Sequence, residues 1–174
     1  MDAEHFAAQA LSLYNSIVRA VYAYCGDETL AQDSAQEALA RGWQRVDAGA
    51  SIDSLQAWTM TVAFNWCRSE LRRSESRLRD TAKSERLNNE GHAVELAVQS
   101  NRSTILSHET LEILLTLPER QRQVLALHYL VGMDIAAMAE VAGISQGAVK
   151  NSLFNGRAAM RSRLLLEDHT GDTR

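Results

Sequence analysis

Apolar residues recur at three- and four-residue steps through most of the chain. Phe6, Ala10, Leu13, Ile17, Val21 and Tyr24 form the first such stripe and predict an amphipathic helix. Gly26-Asp27 interrupts it. A second helix is expected next, with Ala31, Ala35, Ala38, Leu39, Gly42, Trp43 and Val46 on one side and Asp33, Gln36, Glu37 and Arg41 on the other. Residues 47–54, DAGASIDS, are small and polar and read as a loop, with Asp53 or Ser54 placed to cap the following helix. That helix runs through LQAWTMTVAFNWCRSELRRSESR, and Leu55, Trp58, Val62, Trp66 and Leu71 are its expected buried edge.

The pattern fades over residues 78–108, which are polar, mixed in charge and without an aromatic residue. A structureless stretch of that length is uncommon inside one compact domain, so it reads as a flexible linker between two domains. Periodicity returns with ETLEILLTL. Pro118 then opens a helix through ERQRQVLALHYLVG, which Gly132 ends. Asp134 is placed to cap IAAMAEVA, and Ser145 to cap QGAVKNSLFNGRAAMRSRLLL after a Gly143-Ile144 turn. The expected architecture is all-α: one small helical domain at 1–77, a linker at 78–108, a second helical domain at 109–168 and a frayed tail at 169–174.

Composition agrees and narrows the classes. A single proline and nine glycines in 174 residues leave long helices intact. Eighteen basic residues against 22 acidic ones give a net charge of −4, which excludes a uniformly basic, histone-like binder but not one with local basic patches. Cys25 and Cys67 are too few for a disulfide framework or a zinc site and read as reduced, half-buried thiols. No apolar run approaches the roughly 20 residues that span a bilayer. The acidic start, MDAEHFAAQA, is unlike a signal peptide, so a cytoplasmic location is expected. The five histidines are scattered, and no nucleophile–base pair, metal-ligand set or phosphate loop stands out. The expectation is a protein that is not an enzyme and needs no cofactor or metal.

The most informative run spans residues 134–153. A helix-turn-helix needs a small residue inside its first helix, supplied by Ala139, and a residue tolerant of left-handed backbone in the turn, supplied by Gly143. Ile144, Val149 and Leu153 would anchor the second helix, whose outer face would enter a DNA major groove. Ser145, Gln146, Lys150 and Asn151 lie near its N-terminus, and residues 146–166 carry Lys150, Arg157, Arg161 and Arg163 with no acid. A three-helix bundle with a solvated basic face is the plain alternative. A second cationic stripe, Asn65, Arg68, Arg72 and Arg73, recurs at helical steps and suits nucleic acid. Asp27, Glu28, Asp33 and Glu37 form an acidic cluster that either favours a helix N-terminus or offers a docking surface to a basic partner.

Taken in order, AQDSAQEALARGW, LQAWTMTVAFNWCRSELRR, a polar linker and LPERQRQVLALHYLVGMDIAAMAEVAGISQGAVKNSLFNGRAAMRSRL resemble the extracytoplasmic-function sigma factors of bacteria. The resemblance implies two helical domains, called two and four, that bind core RNA polymerase and direct it to promoters. It assigns Asp33, Gln36 and Glu37 to the contact with the β′ coiled coil. It assigns Ser51, Asn65, Arg68, Arg72 and Arg73 to the −10 element, and Ser145, Gln146, Lys150, Asn151 and Arg157 to the −35 element, with domain four docked on the β flap. It also implies promoter DNA and an anti-sigma protein as partners, no membrane insertion, and a monomer when free.

The chain departs from that pattern in two places. Asn151, Ser152, Phe154, Asn155 and Gly156 stand where several basic residues are usual, and the 47–54 loop lacks an aromatic residue. Two rival functions stand beside the first: a helix-turn-helix repressor with an N-terminal dimerisation bundle, suggested by the DNA motif and the N-terminal basic stripe, and a sigma-like decoy that binds an anti-sigma protein, suggested by the thinned arginines.

Overall fold

A computed structural model describes residues 3–85 and 106–168. Among the described residues there are seven α-helices, one π-helical turn and no strand. The helices are α1 (Ala3–Cys25), α2 (Glu28–Asp47), α3 (Leu55–Glu85), α4 (His108–Leu115), α5 (Glu119–Ala126), α6 (Ile135–Ala142) and α7 (Gln146–Asp168), with the π turn (Leu127–Val131) between α5 and α6.

The first stripe behaves as its spacing requires. Phe6, Leu13, Ile17, Val21 and Tyr24 are all buried along α1. Gly26 ends the helix with φ +74, a backbone region open to glycine at little cost. Asp27 then caps α2 by accepting from the Leu30 amide at 2.9 Å. Ala31, Ala35 and Ala38 are fully buried and let α2 lie close against its neighbours. At Gly42 a Cβ would come within 3.0 Å of the Phe6 ring, so hydrogen is what permits that approach.

Helix α3 differs from its expected register. Ser54 caps it, accepting from the Ala57 amide at 3.2 Å. Its buried side is Leu55, Ala57, Met60, Ala63, Phe64 and Cys67, whereas Trp58, Val62, Trp66 and Leu71 are only half-buried. The reason is that α3 is covered twice: by α1 and α2 on one side and by α6 on another. A single-stripe reading therefore chose one edge of a wide buried arc. Trp43, expected inside, is 41% exposed and meets Phe6 edge-on at 5.7 Å. Helix α3 also continues to Glu85, through residues expected to begin the linker. At its other end the expected linker is shortened too, because Ser107 caps α4 and His108 begins it; residues 86–105 between, and the tail at 169–174, lie outside the described residues.

In the second module, Ser107 caps α4 and Asp134 caps α6, the latter accepting from the Ala137 amide at 2.8 Å. Pro118 sits at the N-cap of α5, where it opens the helix. The helix expected to run from there to Gly132 changes from α to π winding at Leu127, and Gly132 closes it at φ +77.

The two modules pack on each other. Helix α1 lies against α4, α5 and the π turn, α3 lies against α6, and one cluster of buried side chains runs from Phe6 to Leu153. Cys67 is fully buried and Cys25 half-buried; both are free thiols, and Cys25 donates to the Asp27 carbonyl at 3.5 Å. The neighbouring Cys25 pushes the Cys67 thiol up, with burial adding to it, and Cys67 in turn holds Cys25 below its usual value.

Candidate nucleic-acid and polymerase-binding surfaces

Helices α6 and α7 form the helix-turn-helix. Gly143 adopts φ +63 in the turn, and the Ile144 amide returns to the Ala139 carbonyl at 3.1 Å, so the residue after the turn is tied to the first helix. Val149 and Leu153 are buried against the module and fix the roll of α7. Ser145 caps α7 by accepting from the Ala148 amide at 3.1 Å. With the roll fixed, Ser145, Gln146, Lys150 and Asn151 all stand exposed on one end of the helix. Donor amides, a hydroxyl and an ammonium on the positive end of a helix suit phosphates and base edges.

Arg157 does not join them. It lies roughly 9 Å beyond Asn151 along α7, within 3.0 Å of His128 Nε2 and with its guanidinium 5.6 Å from the Tyr129 ring centre. There it borders an apolar groove of about 510 Å³ between α4, the π turn and α7, lined by Leu114, Leu125, Leu130, Met160 and Leu164 among others. Phe154 is 72% exposed on the outer side of α7. Gly156, by contrast, is buried. A Cβ there would come within 2.9 Å of Leu125 Cδ1, so the position where a basic residue was expected is a close crossing of α7 over α5.

The acidic cluster divides in the same way. Asp33 and Gln36 are exposed on α2, and Glu37, half-buried, pairs with Arg41 at 2.7 Å. Together with Ala40 and Trp66 they line a shallow recess of about 350 Å³. Asp27, expected in the same cluster, serves as the helix cap.

The stripe on α3 is not one surface. Ser51 is exposed in the loop before α3, roughly 25 Å along the helix axis from Arg72 and Arg73. Arg73 is bonded to Glu70. Asn65 and Arg68 meet at 3.0 Å, and from there Arg68 reaches into the other module. Its Nε donates to Glu119 Oε1 at 2.8 Å and a terminal nitrogen donates to Gln123 Oε1 at 3.2 Å. The Tyr24 hydroxyl donates to the same Glu119 oxygen at 2.6 Å. The Tyr24 bond, then Arg68 and Arg122, hold the Glu119 carboxyl below its ordinary value against the opposing effect of burial. Burial, followed by the bond to Glu119, raises Tyr24. For Arg68, burial opposes the charge, but Tyr24 and Glu119 outweigh it and raise its pKa.

Residues 11–77 match the family described as Sigma-70 region 2, and residues 107–160 match Sigma-70, region 4. The chain belongs to the extracytoplasmic-function sigma factors. This sigma factor is 25% identical to the ECF RNA polymerase sigma factor SigW of Bacillus subtilis, over 90% of this chain and 88% of that one. It is 28% identical to the ECF RNA polymerase sigma factor SigL of Mycobacterium tuberculosis, over 91% and 90%. The probable RNA polymerase sigma factor RfaY of Xanthomonas campestris is 30% identical over 87% of this chain, which spans 38% of that longer protein. In fold, the sigma factor RpoE of Bartonella quintana, solved in complex with the anti-sigma factor NepR, is similar with a TM-score of 0.71 at 20% identity, over 93% of this chain and 98% of that one. CnrH, solved with the cytosolic domain of CnrY, gives 0.62 at 20% identity, over 94% and 89%.

Tyr24, Glu119, Gln123 and Gly156 were not singled out as site or contact residues from the sequence. Glu119 lies inside the LPERQRQVL motif and Tyr24 ends the first apolar stripe, so each was visible for another reason. Nothing in the order of residues connects them. No helix of the described residues is long and apolar enough to cross a membrane, and no group of three metal-ligating side chains occurs among them.

Proposed function

We propose that this sigma factor binds core RNA polymerase, carries it to a restricted set of promoters and opens them, with the chemistry left to the polymerase. Asp33, Gln36 and Glu37, exposed or half-exposed around the Trp66 recess, contact a basic surface on the β′ coiled coil. Ser145, Gln146, Lys150 and Asn151 read the −35 element in the major groove. Ser51, Asn65, Arg68, Arg72 and Arg73 act at the −10 element, where unpairing DNA requires groups that hold the displaced strand.

The observation that carries this reading is the outward face of α7. Ser145, Gln146, Lys150 and Asn151 are exposed there although the two modules share a core, and both sigma regions occur in the one chain. The repressor and decoy alternatives each lack one of these features: the first has no use for the acidic α2 surface, and the second has no use for an open recognition helix. The apolar groove beside α7, with Arg157 and Arg161 at its edge, suits an amphipathic helix with acidic flanks. The β flap and an anti-sigma protein would compete for it. A cytoplasmic location follows from these partners.

The deciding experiment is reconstituted transcription. Purified chain and core polymerase should co-elute and initiate from a few promoters, with run-off products absent when the chain is omitted. A chain that grips duplex DNA as a dimer without polymerase would refute the proposal.

A further inference from the structure

We infer that the Asn65–Arg68 edge of α3 is a surface shared in turn by two anions: the Glu119 carboxylate of the same chain in the closed form, and a nucleic-acid phosphate once the modules separate. The inference rests on the reading that this edge faces promoter DNA.

Three observations carry it. First, the guanidinium of Arg68 has its donors directed to three acceptors, Glu119, Asn65 and Gln123, at 2.8, 3.0 and 3.2 Å. A carboxylate and a phosphate present the same kind of charged oxygen to an arginine, so both cannot hold its Nε together. Secondly, the carboxylate is built in rather than stray. Tyr24 of α1 donates to the same oxygen at 2.6 Å, and the Tyr24 ring is in turn covered by Arg122, whose guanidinium is held by the Leu115 carbonyl at 2.8 Å. Around this centre, Arg19 donates to the Leu130 carbonyl at 3.1 Å, and Leu115 lies against Gly26, too close for any side chain there.

Thirdly, the closure is incomplete in energy. Gln123 is 2% exposed, and while its carbonyl accepts from Arg68, its buried amide nitrogen has no partner among the described residues. An unmatched buried donor is a cost that separation of the modules relieves. The Arg68–Glu119 pair is half open to solvent, with side chains 26% and 49% exposed, so added salt and competing phosphates weaken it. The contact is strong enough to cover the edge and weak enough to give it up.

The test uses the full chain without polymerase, with a short fluorescent single-stranded oligonucleotide as probe and small-angle scattering as the measure of closure. Glu119→Gln keeps the shape and removes the charge. It should enlarge the radius of gyration and tighten oligonucleotide binding by roughly three- to tenfold. Tyr24→Phe, which leaves Arg68 untouched, should shift both readouts the same way by less. Adding Arg68→Gln to Glu119→Gln should abolish the gain in binding while the chain stays open. Thermal melts of each variant exclude simple unfolding as the cause of a larger radius. If Glu119→Gln changes neither scattering nor binding, the exchange of anions is overturned. If it opens the chain without any gain in binding, the exchange is overturned as well. The parent reading fails separately, when Arg68→Ala in holoenzyme leaves promoter opening unchanged.

Discussion

Helices α3 and α7 both carry a cationic stripe that suits nucleic acid, and the fold treats them differently. On α7 the anchoring residues Val149 and Leu153 face inward, and Gln146, Lys150 and Asn151 are left exposed. On α3 the central arginine, Arg68, crosses to Glu119 of the other module. The difference teaches that a basic stripe defines a capacity, and that the partner is set by which surface the rest of the chain brings against it. In this sigma factor the face proposed for the −35 element is left open, while the middle of the stripe proposed for the −10 element is engaged from within.

The largest effect that would sharpen this comparison lies at Gly156. Filling the expected basic pattern with Gly156→Arg should destabilise region four by about 1–3 kcal/mol, because its Cβ has no room beside Leu125. A thermal melt should show the loss, and a stable variant with tighter −35 binding would break the account of α7. Next, Asp134→Ala should cost about 1 kcal/mol by removing the cap of α6, with the −35 contact weakened in proportion and oligonucleotide binding by α3 unaffected. Asp33→Arg should weaken assembly with core polymerase several-fold by placing like charges together, without altering the melt. Unchanged co-elution would remove the α2 surface from the proposed function.

The smallest effect is the pH dependence of closure. The Glu119 carboxyl is held below its ordinary value of 4.5 by Tyr24 and Arg68 across the module boundary and by Arg122 on its own helix. A group depressed in the closed form contributes stability that is complete above its open-form value and lost as pH falls through its closed-form value. Closure should therefore be constant from pH 7 to about 5 and weaken below 4.5, by about 1 kcal/mol or less for a half-exposed pair. Scattering across that range checks it, and the weakening should be absent in Glu119→Gln.

Much of this was legible along the chain. The α1 stripe, the Ser54, Asp134 and Ser145 caps, and the Gly143 turn depend on neighbours within a few residues, so their chemistry can be read locally. The exposed cluster Ser145, Gln146, Lys150 and Asn151 followed from Val149 and Leu153 on the opposite side. Other features have no local signal. Helical spacing groups Arg68 with Arg72 and Arg73, and nothing near it in sequence shows that it also meets Glu119, 51 residues away. Gly156 looked like a poor helix former because propensity is a property of one helix, whereas its value lies in the crossing with α5. Spacing alone marks Trp58, Val62, Trp66 and Leu71 as the buried edge of α3, because the covering of that helix by α6 has no local signal.

The order of residues by itself determined that the chain is helical, where most helices begin and end, that it holds a helix-turn-helix, and which family it resembles. Each of these is a matter of periodicity, capping or motif, decided over a few turns of chain. The tertiary structure alone decided that the two modules share a core, that Arg157 borders a groove away from the exposed cluster at the start of α7, and that Glu119 and Gln123 hold Arg68. Those outcomes depend on which distant surfaces bury apolar area together, and a polar side chain takes whatever partner that burial delivers to it.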